Sequence, residues 1–414
     1  FYFKTGNSSN KNNPVNESGM GHALRCINFS KYISSKYKIK STLVTNINEQ
    51  SNKLKKKHGL NLVDHKNLKF LLNQNKYKII VLDINYFNYL SVKKYIKNPF
   101  LQRAFSIHPL LVGGNPYSTT SIYSLIHYLE KKWGIHFCMG GTGRLVEALT
   151  ELMVKQEINI KTNTEATQLN IKNGMVDGVI LNDGEKIKFD YVICNADPPI
   201  VYKKLLRNSV TPSLGINKWL PERYTKYSMG LYVLFFGTKK QYPNVAHHTI
   251  WLTHRFKELL NDIFEGRATD DFSLYIHRPT ATDSSFAPDG CDSFYVLCPV
   301  PNLKTSINWE TEGKKLRNKI VNALSKTILP NLEKYITGEK WMTPIDFQET
   351  YLCEHGAGFS IAPTLTQSAW FRYHNQDKKL KNLFFVGAGT HPGAGLPGVI
   401  SSAKVVESLI KNQN

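Results

Sequence analysis

The chain has 414 residues, enough to bury a large core and fill two or three domains. At 41% hydrophobic and 12% aromatic it excludes a disordered chain, and its six cysteines, none in a C-x-x-C pair, argue against a zinc or disulfide framework and for a reducing compartment. A net charge of +21 attracts nucleic acid or an anionic bilayer surface, but no nucleic-acid motif is present and no run of ~20 apolar residues is available to span a membrane. With no signal-peptide pattern either, the expected place is the cytoplasm, with any contact to lipid made on the bilayer surface.

Residues 1–97 are rich in Asn and Lys and carry 18 Lys and Arg against 4 Asp and Glu. Phe1 to Thr5 reads as a short strand. Gly19-Met20-Gly21-His22-Ala23-Leu24-Arg25-Cys26 is a glycine turn running into a helix through Tyr32. Lys40 to Val44 reads as a strand, Glu49 to Lys57 as a helix, and Lys78 to Asp83 as a strongly apolar strand. Strands alternating with helices predict a parallel sheet, a small Rossmann-like β/α segment. Gly19 to Cys26 resembles the N-terminal loop of nucleotide-sugar hydrolases and transferases with two Rossmann domains. That resemblance implies His22 as a catalytic candidate. A plain glycine turn capping a helix accounts for the same residues.

Asn98-Pro99 marks a junction, since proline stops one helix or opens the next. Helices are predicted over Phe100 to Ser106 and Ser121 to Lys132, and a third runs through Lys155 after Gly140-Gly141. Asn159 to Thr164 reads as a strand continued by Glu165 to Ile171, which turns at Asn173-Gly174 into Val176 to Leu181. A turn at Asp183-Gly184 leads to Lys186 to Phe189, and Tyr191 to Asp197 is a buried strand tipped by Asn195-Ala196-Asp197.

From Pro198 to about Phe347, three aromatic strands stand out: Gly230 to Gly237, Asp271 to His277, and Ser293 to Pro301. They predict a mainly antiparallel sheet, with one face as core and the other free to wall a long apolar pocket. Ala246-His247-His248-Thr249 invites a metal reading. Adjacent residues of a strand point to opposite faces, so these two histidines are not expected to share an ion, and no metal site is expected.

Near the end, Leu383 to Val386 reads as a buried strand and Ile400 to Ile410 as a helix. Between them lie five glycines and two prolines, more than a turn needs. Glycine permits close approach to a ligand, and a helix N-terminus aimed at such a loop suits an anionic group such as a pyrophosphate.

The string Phe385-Val386-Gly387-Ala388-Gly389-Thr390-His391-Pro392-Gly393-Ala394-Gly395-Leu396-Pro397-Gly398-Val399 closely resembles the C-terminal signature of bacterial-type phytoene desaturases, flavin enzymes of the amine-oxidase-like superfamily. Ala104 to His108, Leu111 to Pro116, Gly140 to Gly143, Ala246 to Thr249, Asp271 to His277, Pro299-Val300-Pro301 and Thr366 to Arg372 resemble the family in the same order. The resemblance runs from about residue 98 to the end.

It implies a mixed α/β flavoprotein of two domains. Residues 98–155 and 198–347 would form the substrate and membrane-facing domain, and residues 156–197 and 348–414 would belong to the FAD-binding domain. It implies FAD as cofactor, met by the backbone near Ala166, by Asn195, Ala196 and Asp197, and by Gly387, Ala388, Gly389, Thr390, His391, Pro392, Gly393, Gly395, Pro397, Gly398 and Val399. It implies desaturation of an apolar C40 precursor, phytoene, toward lycopene, on a peripheral membrane surface, with a quinone or oxygen accepting the electrons. Dehydrosqualene desaturases and carotene isomerases are near relatives.

Two departures stand out. The family's G-x-G-x-x-G is matched only by Gly19-Met20-Gly21, with Leu24 at the third glycine position, and without that loop FAD is expected to bind weakly. The family's D-x-x-x-R reads Asn98 and Gln102 here, leaving Arg103, one step later, as the sole candidate for a catalytic cation. An inactive fusion or remnant that only binds lipid, and a nucleotide-sugar enzyme fragment, therefore stand as alternatives.

Overall fold

The computed structural model describes residues 96–120, 123, 125–206, 225–368 and 371–413, together with the backbone of residues 2–4, 42–45 and 61–64. The chain divides into two compact units, Phe1–Tyr95 with Ser118–Tyr123, and Ile96–Tyr117 with Ser124–Asn414.

In the first unit, β1 (Tyr2–Lys4), β2 (Thr42–Thr45) and β3 (Asn61–Asp64) form a parallel sheet in that order, with Phe3 opposite Leu43 and Leu43 opposite Leu62. Parallel pairing follows from the β/α alternation of the sequence. The expected helices after Gly19 and over Glu49 to Lys57, the strand over Lys78 to Asp83, and His22 lie outside the described residues.

The second unit opens with α1 (Pro99–Phe105). Asn98 caps it, its Oδ1 accepting from the backbone N–H groups of Phe100 and Leu101, and Pro99 fills the first helical position, where no N–H is needed. Buried Gln102 donates to the Ile96 carbonyl at 2.6 Å. Both residues that depart from the D-x-x-x-R pattern thus hold the start of this helix. A 3-10 turn, His108–Val112, leads on to α2 (Leu125–Trp133) and α3 (Gly141–Lys155).

The strands β4 (Ala166–Lys172), β5 (Met175–Leu181) and β6 (Lys186–Lys188) form the expected antiparallel meander. Asn173 and Gly174 turn the hairpin with positive φ at both positions, as a type I′ turn requires. The strand expected over Asn159 to Thr164 is absent. Pairing beyond Ala166 stops at Glu165, whose carbonyl accepts from the Asn182 N–H at 2.9 Å, and residues 159–164 join no ladder. A two-stranded parallel sheet joins β7 (Val192–Cys194) to a strand near the C-terminus.

The largest sheet contains β8 (Gly230–Thr238), β9 (His248–Trp251), β10 (Leu274–His277), β11 (Asp292–Val300) and β12 (Ile336–Met342), in the antiparallel order β12-β8-β11-β10-β9. Helix α4 (Phe256–Phe264) follows β9, and α5 (Trp309–Ser325) follows β11. One sheet face carries Tyr232, Leu234, Phe236, Ile276, Phe294 and Val296, packed against Ile320, Val321 and Leu324 of α5. The other carries Leu231 and Val233 against Leu259 and Ile263 of α4. Alternation along each strand sorts the two sets, as a sheet buried on both sides demands.

Both faces therefore contain core. Along the α4 face the packing opens: Phe235 is 40% exposed, Ile250 is exposed, and Tyr275 and Tyr295 are half-buried. The chain ends with α6 (Pro344–Tyr351), β13 (Leu383–Phe385), which pairs with β7, and α7 (Leu396–Lys411). No helix among the described residues is long and apolar enough to cross a membrane.

Candidate functional site

The site is built outward from β13. Leu383, Phe384 and Phe385 are fully buried, and the strand lies parallel to β7 with Leu383 opposite Val192 and Phe385 opposite Cys194. The Val386 N–H donates to the Cys194 carbonyl at 3.0 Å, extending the pairing to the loop. Buried Asn382 ties the meander to the same body. Its Nδ2 donates to the carbonyls of Val176 (2.7 Å) and Asp190 (2.9 Å), and its Oδ1 accepts from the Val176 N–H at 3.0 Å.

The loop from Gly387 onward packs on the Asn195–Asp197 tip of β7. A Cβ on Gly387, where φ is +104°, would sit 2.7 Å from Asn195 Oδ1. On Gly389 it would sit 2.5 Å from Pro198 Cδ and 2.7 Å from Asp197 Oδ1, and on Gly398 2.6 Å from the Gly393 carbonyl oxygen. These glycines are required by contacts within the chain itself. The expectation that the loop's glycines also let a ligand approach closely is part of the proposed function. The backbone is further held by the Gly387 N–H donating to Ser402 Oγ (2.9 Å), by Thr390 Oγ1 donating to the Gly387 carbonyl (3.0 Å), and by Asn375 Nδ2 donating to the carbonyls of Phe385 (3.0 Å) and His391 (2.8 Å). The His391-Pro392 peptide is cis.

Two charged side chains sit beneath this loop, Arg372 buried and Asp197 half-buried. Arg372 is 1% exposed. Its Nε and Nη2 both donate to the Ala388 carbonyl, at 2.9 and 2.6 Å, and its Nη1 donates to those of Ile361 (3.1 Å) and Gln367 (3.2 Å). The Asp197 carboxylate accepts from Ser360 Oγ at 2.5 Å. Burial raises the Asp197 carboxyl to about 6, against the opposing pull of the Ser360 and Glu354 hydrogen bonds and the Arg372 charge. Arg372 carried no role among the sequence-based expectations; an arginine is buried only where its donors are satisfied, and its partners here are carbonyls that the fold supplies.

Beyond the pinned loop, α7 begins at Leu396, with Gly395 at its N-cap and no side-chain cap. Leu396 is 61% exposed and Pro397 is exposed. A 16-residue helix therefore presents uncapped N–H groups beside a rigid backbone, a favourable place for a phosphate. By that observation the residues present fit the C-terminal side of an FAD site.

The structure brings Asn195, Asp197, Gly387 and Gly389 together. Ala196 packs on the side with Leu383 and Phe385. The Ala388 carbonyl is taken by Arg372, and Val399 is turned into α7, its N–H donating to the Gly395 carbonyl. Ala166 is exposed at the start of β4 and joins none of the loop's hydrogen bonds. Arg103 lies on α1 with its guanidinium 6.0 Å from the Phe100 ring centroid, and its buried Nε has no partner among the described residues. The expected Gly19-Met20-Gly21 turn is outside the described residues.

The two adjacent histidines behave differently from expectation. His248 is the first residue of β9 and pairs across the sheet with His277. His247 precedes the strand, so strict alternation does not apply to it, and its ring lies 4.4 Å from that of His248 and 4.7 Å from that of His277. The two histidines therefore converge, contrary to the expectation from strict alternation.

The family described as flavin containing amine oxidoreductase matches residues 33–406. The match begins inside the N-terminal segment for which the sequence led us to expect a separate origin. A phytoene desaturase (lycopene-forming) of Pseudescherichia vulneris is 45% identical over 324 residues, covering 78% of this chain and 65% of that protein. A phytoene desaturase (lycopene-forming) of Pantoea ananas is 44% identical over 325 residues, with coverage of 78% and 65%. The chain thus spans just under two thirds of the length of these curated relatives. Among solved structures, an oxidoreductase from Methanosarcina mazei superposes with a TM-score of 0.55 at 15% identity, covering 83% of this chain and 73% of that one, a likeness of fold. The mixed α/β flavoprotein fold and the flavin expected of it agree with these matches, and the chain belongs to the flavin containing amine oxidoreductase family.

Proposed function

We propose that this chain carries out FAD-dependent desaturation of an apolar C40 carotenoid precursor, phytoene toward lycopene. The observation that carries the reading is the pinned loop from Gly387 to Val399, set against relatives named phytoene desaturase at 44–45% identity. When bound, FAD supplies the two-electron acceptor that carbon–carbon desaturation needs.

The chain's own part is positioning. Arg372 and Asn375 fix the loop backbone, its glycines let the cofactor approach closely, the first turn of α7 offers N–H groups to a phosphate, and Asn195 and Asp197 border the loop. In this reading residues 156–197 and 348–414 form the flavin side, with Ala166 toward the adenine. Residues 98–155 and 198–347 form the substrate side. The open stretch of the α4 face, with Phe235, Ile250, Tyr275 and Tyr295, offers apolar and aromatic surface to a rod-like hydrocarbon and excludes water from it. No paired carboxylates are demanded, and Arg103 is the sole candidate catalytic cation.

The polyene is a bilayer lipid, so the working place is a membrane surface on the cytoplasmic side, consistent with the surplus of basic residues. The electrons pass to a quinone or oxygen. A second reading, a lipid-binding remnant without flavin chemistry, is favoured by Leu24 at the third glycine position of the dinucleotide motif. Expression in phytoene-producing cells separates the two: coloured polyenes are expected, and colourless cells holding folded protein would favour the remnant.

A further inference from the structure

His247, His248 and His277 place one ring nitrogen each within 4.8 Å of the others at the β9–β10 end of the large sheet. His247 Nε2 and His277 Nε2 are 2.8 Å apart. The far sides of two of the rings are already held. Thr282 Oγ1 bonds His247 Nδ1, and the Tyr275 hydroxyl bonds His248 Nδ1 at 2.6 Å. For His247 the group behind the ring sets its tautomer and direction, the arrangement found behind metal-ligating histidines, and leaves Nε2 facing His277.

Burial lowers the proton affinity of all three, His277 to about 4, and His247 and His277 are lowered further by their histidine neighbours. Arg278 also lowers that of His247, but its own charge is paired with buried Asp292 at 3.1 Å. Neutral imidazole is the form that ligates. Phe137 stands edge-on to both the His247 and His277 rings and shields one side, while His248 is exposed and leaves the other open to solvent.

We propose that His247, His248 and His277 form a binding site for one borderline divalent transition-metal ion such as Zn2+, with three nitrogen ligands and an open position. The His248 ring lies nearly parallel to that of His277, at 13°, so ligation requires rotation of His248 about χ2, a broad torsion, which releases its Nδ1 from the Tyr275 hydroxyl. Three imidazoles suit Zn2+, Ni2+ or Cu2+ rather than Mg2+ or Ca2+, which prefer oxygen. The site lies on the α4 face of the sheet, beside Tyr275.

The probe is Co2+, titrated into the full chain and followed by visible absorption. One equivalent is expected to bind with a low-coordinate band that Zn2+ bleaches. His247→Ala and His248→Ala, both at surface-accessible positions, should each weaken binding at least about tenfold while leaving the unfolding midpoint in place. Tyr275→Phe, which frees His248 Nδ1 from its hydroxyl partner, should not weaken it. His108, His127 and Glu130 form a second set with ligand atoms close enough for an ion, which makes His108→Ala the control. Absence of a Co2+ band, or a band lost with His108→Ala and kept with His247→Ala and His248→Ala, would overturn the proposal.

Discussion

Arg372 donates two hydrogen bonds to the single carbonyl of Ala388, from Nε at 2.9 Å and Nη2 at 2.6 Å, with the guanidinium almost wholly buried. The remaining donors reach the carbonyls of Ile361 and Gln367, so one side chain holds three separate backbone segments. Replacing it with methionine keeps the volume and strips those carbonyls of their donor. Each buried acceptor left unsatisfied costs about 1–3 kcal/mol, so Arg372→Met should lose several kcal/mol of stability in urea unfolding. Arg372→Lys should lose nearly as much, because an ammonium cannot reproduce the planar fork. A loss of less than about 1 kcal/mol for both would contradict this pinning.

Gly389 and Gly143 provide a matched pair. A methyl group on Gly389 meets Pro198 Cδ and Asp197 Oδ1 well inside contact distance, whereas nothing lies within 4 Å of one on Gly143. Gly389→Ala should destabilise the protein by about 1–3 kcal/mol through overpacking. Gly143→Ala, in the exposed part of α3, should be neutral or stabilise by up to about 1 kcal/mol. Equal effects in thermal unfolding would mean that the Gly389 contact is not as tight as described.

Asp197 gives a pH signature. Its carboxyl is raised from the usual 3.8 to about 6, chiefly by burial. The folded state then keeps a proton that the unfolded chain has released. The stability this group contributes is fully present below about pH 4 and is lost as pH rises through about 6. Asp197→Asn cannot ionise, so its stability relative to the parent should rise across that window, by an amount on the order of a few kcal/mol, and level off above it. A difference independent of pH between 4 and 7.5 would argue against a buried Asp197 proton.

Asn382 couples the meander to β13 through three hydrogen bonds at 2.7 to 3.0 Å. Asn382→Ala should cost roughly 2–4 kcal/mol. It should also speed hydrogen exchange at the Val176 amide well before that of the large sheet. Unchanged protection at Val176 would show that the meander is held by its apolar contacts alone.

What the sequence made legible tracks local chemistry. The alternating aromatics of β8 and β11, the Asn173-Gly174 turn and the apolar run of β13 each announce an element through its own residues. The strand expected at Asn159 to Thr164 failed because strand propensity says nothing about whether a partner is present, and β5 ends opposite Ala166. The loop at Gly387 was visible as a glycine-rich turn between strand and helix, but the contacts that require glycine at 387 and 389 were not: the atoms avoided belong to Asn195, Asp197 and Pro198, nearly 200 residues earlier. Arg372 escaped for the same reason, since its partners are carbonyls set by the fold. The convergence of His247 with His248 depended on where β9 begins, a boundary that residue spacing does not fix.

The central claim is that the backbone from Gly387 to Val399 holds FAD. Its most direct test is the flavin content of the full chain purified with FAD present and then freed of unbound cofactor. A retained flavin absorption band near one equivalent per chain is expected, lost in Arg372→Met under conditions where that variant is still folded. A folded, flavin-free parent protein, or a band indifferent to Arg372, would contradict it.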